Sequence, residues 1–187
     1  LTAGVNTNVP AERIANNNAA RRILMGKYTD EQKIAQSEAN RDFVTAPLRN
    51  KAFASAGDNV TDVGAIISKI DDVLKGPTGS RESVANAMKH FKDQIKNESG
   101  DVERLDSIRQ NINDYISGKI VGAKADNFRL AVGELSELRN FISKEINKVA
   151  PGYQKYLDTY SKLTTPISQQ QKIRDIEIKT TDGGVVN

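Results

Sequence analysis

The stretch FRLAVGELSELRNFISKEINKVAPG spans residues 128–152. Within it Phe128, Ala131, Leu135, Leu138, Ile142, Ile146 and Val149 recur at steps of three and four. That spacing gathers the apolar side chains on one face of a helix and leaves Glu, Lys, Arg and Asn on the others. Ala150-Pro151-Gly152 ends the run. Proline has no N–H to continue the ladder, and glycine admits a left-handed turn.

The same cadence extends outward from this helix. Upstream, Leu105, Ile108, Ile112, Tyr115 and Ile116 form a stripe behind Asp101, which is placed to cap it. Val84, Met88, Phe91 and Ile95 form another behind Ser80, and Val60, Val63, Ile67, Ile70 and Leu74 a third. Downstream, Tyr153, Leu157, Tyr160, Leu163 and Ile167 make a last apolar face, with Pro166 expected to bend its end. Gly57-Asp58-Asn59, Gly76-Pro77-Thr78-Gly79 and Asn97-Glu98-Ser99-Gly100 punctuate the stripes, and Gly118 and Gly122 bracket a looser connection. Narrow stripes joined by short turns predict an all-α fold, an antiparallel helical bundle of about five to six helices.

The first third reads more weakly. Pro10 suits a first helical turn, and Gly26 is a stop. Thr29 with Gln32 matches a capping box ahead of Ile34, Ala35, Ala39, Phe43 and Val44, and Pro47 predicts a kink or break. The expected organisation is an N-terminal helical arm over 1–56, a bundle over 57–172 and a tail or linker over 173–187. The arm is expected to be separable, leaving a bundle that folds alone. Leu1 stands where a Met would open a complete chain, so a piece of a longer protein is expected.

Composition excludes several chemistries. There is no cysteine, which removes disulfides and thiolate zinc sites. No apolar run approaches the ~20 residues that span a bilayer. One histidine, His90, has only Asp93 and Gln94 at the offsets a helical metal site would use. The neighbouring carboxylates Asp71 and Asp72, Asp101 and Glu103, and Glu134 and Glu137 read as solvated faces or caps. Gly76-Pro77-Thr78-Gly79-Ser80-Arg81 lacks the spacing and the preceding strand of a phosphate loop. No catalytic, cofactor-binding or metal-binding residue is therefore assigned, and no small-molecule substrate is expected.

Two clusters stand out as candidate contacts. Arg21 and Arg22, with Lys27 nearby, form the densest basic spot and are candidates for a protein or phosphate contact. The net charge of +3 comes from the first third: 1–56 holds eight Lys/Arg against five Asp/Glu, and 57–187 holds nineteen of each. So small an excess predicts weak nucleic-acid binding at most. Tyr153, Tyr156 and Tyr160 share a helical face and are candidates for an interface, with packing at the bundle end as the ordinary reading.

Leu105-Asp106-Ser107-Ile108-Arg109-Gln110-Asn111-Ile112-Asn113-Asp114-Tyr115-Ile116 has an L-x-x-I-R-x-x-I-x-D-x-I cadence. Ala150-Pro151-Gly152-Tyr153, then Tyr156, Tyr160 and Thr165-Pro166-Ile167, follow it, with Ile70-Asp71-Asp72-Val73-Leu74 and Gly76-Pro77 ahead. Together, over roughly residues 60–170, these stretches resemble helical segments of long phage and prophage proteins of the internal virion or DNA-ejection type. The resemblance implies a non-catalytic structural or protein-interaction module, acting on a protein partner or by self-association, in a virion or in the bacterial cytoplasm. It carries no site residues. The rival expectations are a bacterial effector or adaptor bundle that binds a protein, and a weak nucleic-acid-associated protein acting through the basic arm.

The absence of a metal site makes a direct prediction. Zinc, calcium or a chelator should leave the melting temperature unchanged to within about 1 °C, because no ligand-bound state exists to shift the folding equilibrium. A metal-dependent rise in the thermal scan would refute it.

Overall fold

The computed structural model describes residues 31–118 and 125–181. Among these residues are six α-helices and no strand, an all-α helical bundle. They are α1 (Glu31–Ala56), α2 (Val63–Lys75), α3 (Glu82–Ile95), α4 (Val102–Ile116), α5 (Ala125–Val149) and α6 (Tyr153–Thr181), with a 3-10 turn over Pro77–Ser80. The expected start signals at Pro10 and Thr29 and the stop at Gly26 lie outside the described residues, as do Arg21, Arg22 and Lys27.

The chain divides into two compact units. One is Ala46–Asp158, and the other combines Leu1–Thr45 with Thr159–Asn187. Helices α1 and α6 each contribute residues to both. The boundary expected after residue 56 therefore needs correcting, since it falls inside the first of these units. The cause is local. Ala52, Phe53 and Ala56 at the end of α1 are buried, and Ser55 Oγ donates to the carbonyl of Pro151 at 3.1 Å. The tail expected from residue 173 is also corrected, because α6 continues as helix to Thr181.

The core of Ala46–Asp158 follows the apolar stripes closely. Val84, Met88, Phe91 and Ile95 of α3, Leu105, Ile108 and Ile112 of α4, and Ala131, Leu135, Leu138, Ile142 and Ile146 of α5 are all buried. In α2 the buried pair is Ile66 and Ile70, whereas Val60 precedes the helix and is 60% exposed. The cap explains the shift: Asp62 accepts from the Ala65 N–H at 2.9 Å, so the helix starts after Val60 rather than through it. Asp101 caps α4 as expected, accepting from the Arg104 N–H at 2.9 Å. Ser80 does not cap α3. Its hydroxyl donates back to the Pro77 carbonyl inside the 3-10 turn, and Arg81 takes the cap position without a side-chain bond.

Neither internal proline ends its helix. Pro47 lies inside α1 and Pro166 inside α6, and both are exposed. The carbonyls that lose their donors belong to Phe43 and Lys162, also exposed residues, where water can replace the missing N–H. The break allowed for at Pro47 is thus corrected to an unbroken helix. In the other unit, Ile34 of α1 and Ile167 of α6 are buried, and Gln171 Nε2 donates to Glu38 Oε1 at 3.0 Å. The expected stripe of α1 is rotated. Ile34, Glu38, Arg41 and Thr45, at steps of four, three and four, are buried or half-buried, whereas Phe43 is 80% exposed.

Removing residues 1–56 should consequently abolish the cooperative thermal transition. The deletion strips Phe53 and Arg49 from the unit that 57–158 was expected to form alone. Losing one large core aromatic and one partner of a buried charge costs about 6 kcal/mol or more, close to the whole stability of a domain. A shortened chain that still melts sharply in calorimetry would restore the separable arm.

Candidate functional site

The most unusual chemistry in the structure centres on Asp106, in the second turn of α4. Its neighbour Leu105 lies on the apolar stripe, and Asp106 turns with it into the core, where it is fully buried. Burial of an ionised carboxylate is expensive unless its lone pairs are filled. Four donors fill them. Arg109 Nε, three residues on, donates to Oδ1 at 2.9 Å, and Gln110 Nε2, four residues on, donates to Oδ2 at 2.8 Å. Arg49 Nε, from α1, donates to Oδ2 at 3.0 Å, and the Tyr153 hydroxyl, from the first turn of α6, donates to Oδ1.

The surroundings hold these donors in place. Phe53 stacks on Tyr153 with ring centroids 6.0 Å apart, and the Arg49 guanidinium sits 4.5 Å above the Phe53 ring. Tyr153 is positioned by the turn before it. Its N–H bonds the Ala150 carbonyl at 3.1 Å, and Gly152 takes φ +97°, a conformation that favours glycine. On the α5 side, Arg139 Nη1 donates to Asn113 Oδ1 at 2.9 Å.

Electrostatics follow from this packing. Burial pushes the Asp106 carboxyl upward, but the Arg109 charge and the bonds from Tyr153, Arg109 and Arg49 outweigh it and hold the group below its ordinary value. Burial, reinforced by Asp106, pushes the Tyr153 hydroxyl well above its ordinary value against the pull of Arg109. A carboxylate with all its acceptor sites taken and its proton affinity lowered is a poor general base. The arrangement therefore acts as a structural knot.

The residues singled out in the sequence are scattered relative to this knot. Tyr153 and Tyr156 are buried in the core of Ala46–Asp158, and the Tyr153 hydroxyl meets Asp106 rather than water. Tyr160 is half-buried in the other unit, where the Arg41 guanidinium lies 4.6 Å from its ring centre. His90 is exposed, 2.9 Å from Gln94 Nε2 and edge-on to Phe91. Among the described residues no group of three His, Cys, Asp or Glu is arranged to hold a metal, and no helix is long and apolar enough to cross a membrane. Asp106, Arg109 and Gln110 stood out in the sequence only as part of the Leu105–Ile116 cadence, and Arg49 and Arg139 did not stand out at all. The available signal was an acid one step off an apolar stripe, with Arg and Gln three and four residues on. Comparison with protein-family models, curated proteins and solved structures finds no match.

Asp106 should set the acid limit of stability and Tyr153 the alkaline one. The Asp106 pKa is lowered on folding, so its contribution is present above the unfolded value of about 4 and lost as pH falls through the folded one. The Tyr153 pKa is raised, so its contribution is present below the unfolded value of about 10 and lost as pH rises beyond it. At pH 7, Asp106→Asn should cost about 3 kcal/mol or more, by uncovering two arginines, and Tyr153→Phe about 2 kcal/mol. Denaturant titrations across pH check both. Asp106→Asn should flatten the fall below pH 4, and Tyr153→Phe the fall above pH 10.

Proposed function

We propose that the chain is a non-catalytic helical module of a phage or prophage virion-associated protein, and that it works by protein contact, in the first instance with another copy of itself. The observation that carries the contact reading is on α1. Phe43 is 80% exposed and Val44 beside it 41% exposed, while the opposite face of the helix is turned inward. A Phe this exposed gains nothing from the fold that carries it, and burying it against a partner recovers about 2 kcal/mol. The phage origin is supported by the sequence resemblance over roughly 60–170. Capsid and portal genes beside this one would support it further, and their absence would count against it.

The non-catalytic reading rests on residue chemistry. The one histidine is solvent-facing and hydrogen-bonded to Gln94, and there is no cysteine. Two carboxylates are buried among the described residues: Asp106 has its acceptor sites filled, and both oxygens of Glu145 accept from Lys148.

The double variant Phe43→Ser with Val44→Ser tests the contact. Exposed positions away from the core change stability by at most about 0.5 kcal/mol, so the melting temperature should hold. The mass measured by light scattering across a concentration series should exceed the monomer for the natural chain and fall to the monomer for the variant. A natural chain that stays monomeric throughout would sink self-association.

A further inference from the structure

The Asp106 knot contains more positive charge than it needs. Arg49 and Arg109 both engage Asp106 through Nε, so one carboxylate answers two guanidiniums. A third, Arg139, is tied to Asn113, one helical turn beyond Arg109 on α4. Its remaining bonds, from Nε at 3.4 Å and Nη2 at 3.2 Å, go to Asn140 Oδ1. Arg139 is thus held by two neutral amides, and no carboxylate pairs with it among the described residues. Among the described residues, these three cations against one anion leave a local excess of two positive charges, all within Ala46–Asp158.

The three guanidiniums are only partly shielded from solvent. The Arg49 side chain is 30% exposed and that of Arg109 13%, and Arg139 is half-buried. Side-on pairing through Nε leaves the outer nitrogens of Arg49 and Arg109 for another acceptor. Burial, together with the charge of Arg109, lowers the proton affinity of Arg139, as expected for a cation lacking a counter-ion. An acid supplied by the chain would remove this cost, and at Arg139 the chain supplies asparagine.

We infer that Arg109 and Arg139, backed by Arg49, form a binding site for a small tetrahedral oxyanion of the phosphate class. The charge matches, because a phosphate group carrying close to two negative charges neutralises the excess. The donor type matches as well, since arginine forks present paired N–H groups to phosphate oxygens. The site is independent of the exposed α1 surface, so it can fail without affecting the contact reading.

Inorganic phosphate is the probe, titrated into the full chain in thermal scans against sodium chloride at matched ionic strength. The melting temperature should rise saturably with phosphate and not with chloride. Lys144→Gln removes an exposed cation on the same helix as Arg139 and should keep the response. Arg139→Gln should weaken apparent binding by about tenfold or more, the loss of one charge-assisted hydrogen bond. Arg139→Lys keeps the charge but loses the fork, should weaken it less, and decides the matter if the glutamine variant does not fold. A rise no larger than chloride gives would overturn the site, as would equal responses from the Arg139 and Lys144 variants. A single-stranded oligonucleotide forms the last arm. Saturable oligonucleotide binding without a phosphate response would also overturn the inference, in favour of a nucleic-acid surface.

Discussion

One fully buried carboxylate governs the packing of Ala46–Asp158. Asp106 takes hydrogen bonds from α1, from its own helix and from α6, and the two distant donors are held in turn: Arg49 by the face of Phe53, Tyr153 by the Pro151-Gly152 turn. Apolar packing is tolerant of small rotations, because one methyl group can replace another. A hydrogen-bonded carboxylate is far less so, since an ångström of slip leaves a buried charge unpaired. The apolar stripes accordingly make the helices pack, and Asp106 specifies the register in which the end of α1 and the start of α6 meet α4.

This division of labour explains which parts of the fold were legible in the sequence. The stripes of α3, α4 and α5 were readable because most of their buried positions are aliphatic or aromatic, and leucine or isoleucine at steps of three and four has few other meanings. The inner face of α1 was not readable in the same way. Its positions include Glu38, Arg41 and Thr45, which a hydrophobicity count assigns to solvent, while Phe43, which such a count assigns to the core, faces outward. Pro47 misled for a related reason. The cost of an internal proline depends on whether the orphaned carbonyl can reach water, which is a matter of facing that the residue itself does not encode.

The knot is not legible as a pair of neighbouring carboxylates, the pattern of acid–base chemistry. Asp106 is instead paired with cations, and its partners lie at +3, +4, −57 and +47 in the chain. Only the first two are local. The sequence stretches around Leu105–Ile116 and Ala150–Tyr153 each stood out separately, and it is the fold that joins them at the Asp106–Tyr153 bond. Tyr153 thereby changes meaning. The packing expected of it holds, but its hydroxyl, expected to reach water, completes the solvation of a buried charge.

A perturbed carboxyl is often taken as the sign of an active site, and the direction of the perturbation separates the two cases here. Catalytic carboxylates are commonly raised by burial with too few partners, which leaves them able to take and return a proton near neutrality. Asp106 is as deeply buried as such groups, yet its carboxyl is lowered, because two cations and two neutral donors fill its acceptor sites. These partners, against the effect of burial, remove Asp106 from proton chemistry and commit it to structure. The unbalanced charge then resides on the arginines, which cannot lose it by deprotonation. Whatever chemistry this knot offers to the outside is therefore recognition of anions by guanidinium groups rather than proton transfer by a carboxylate.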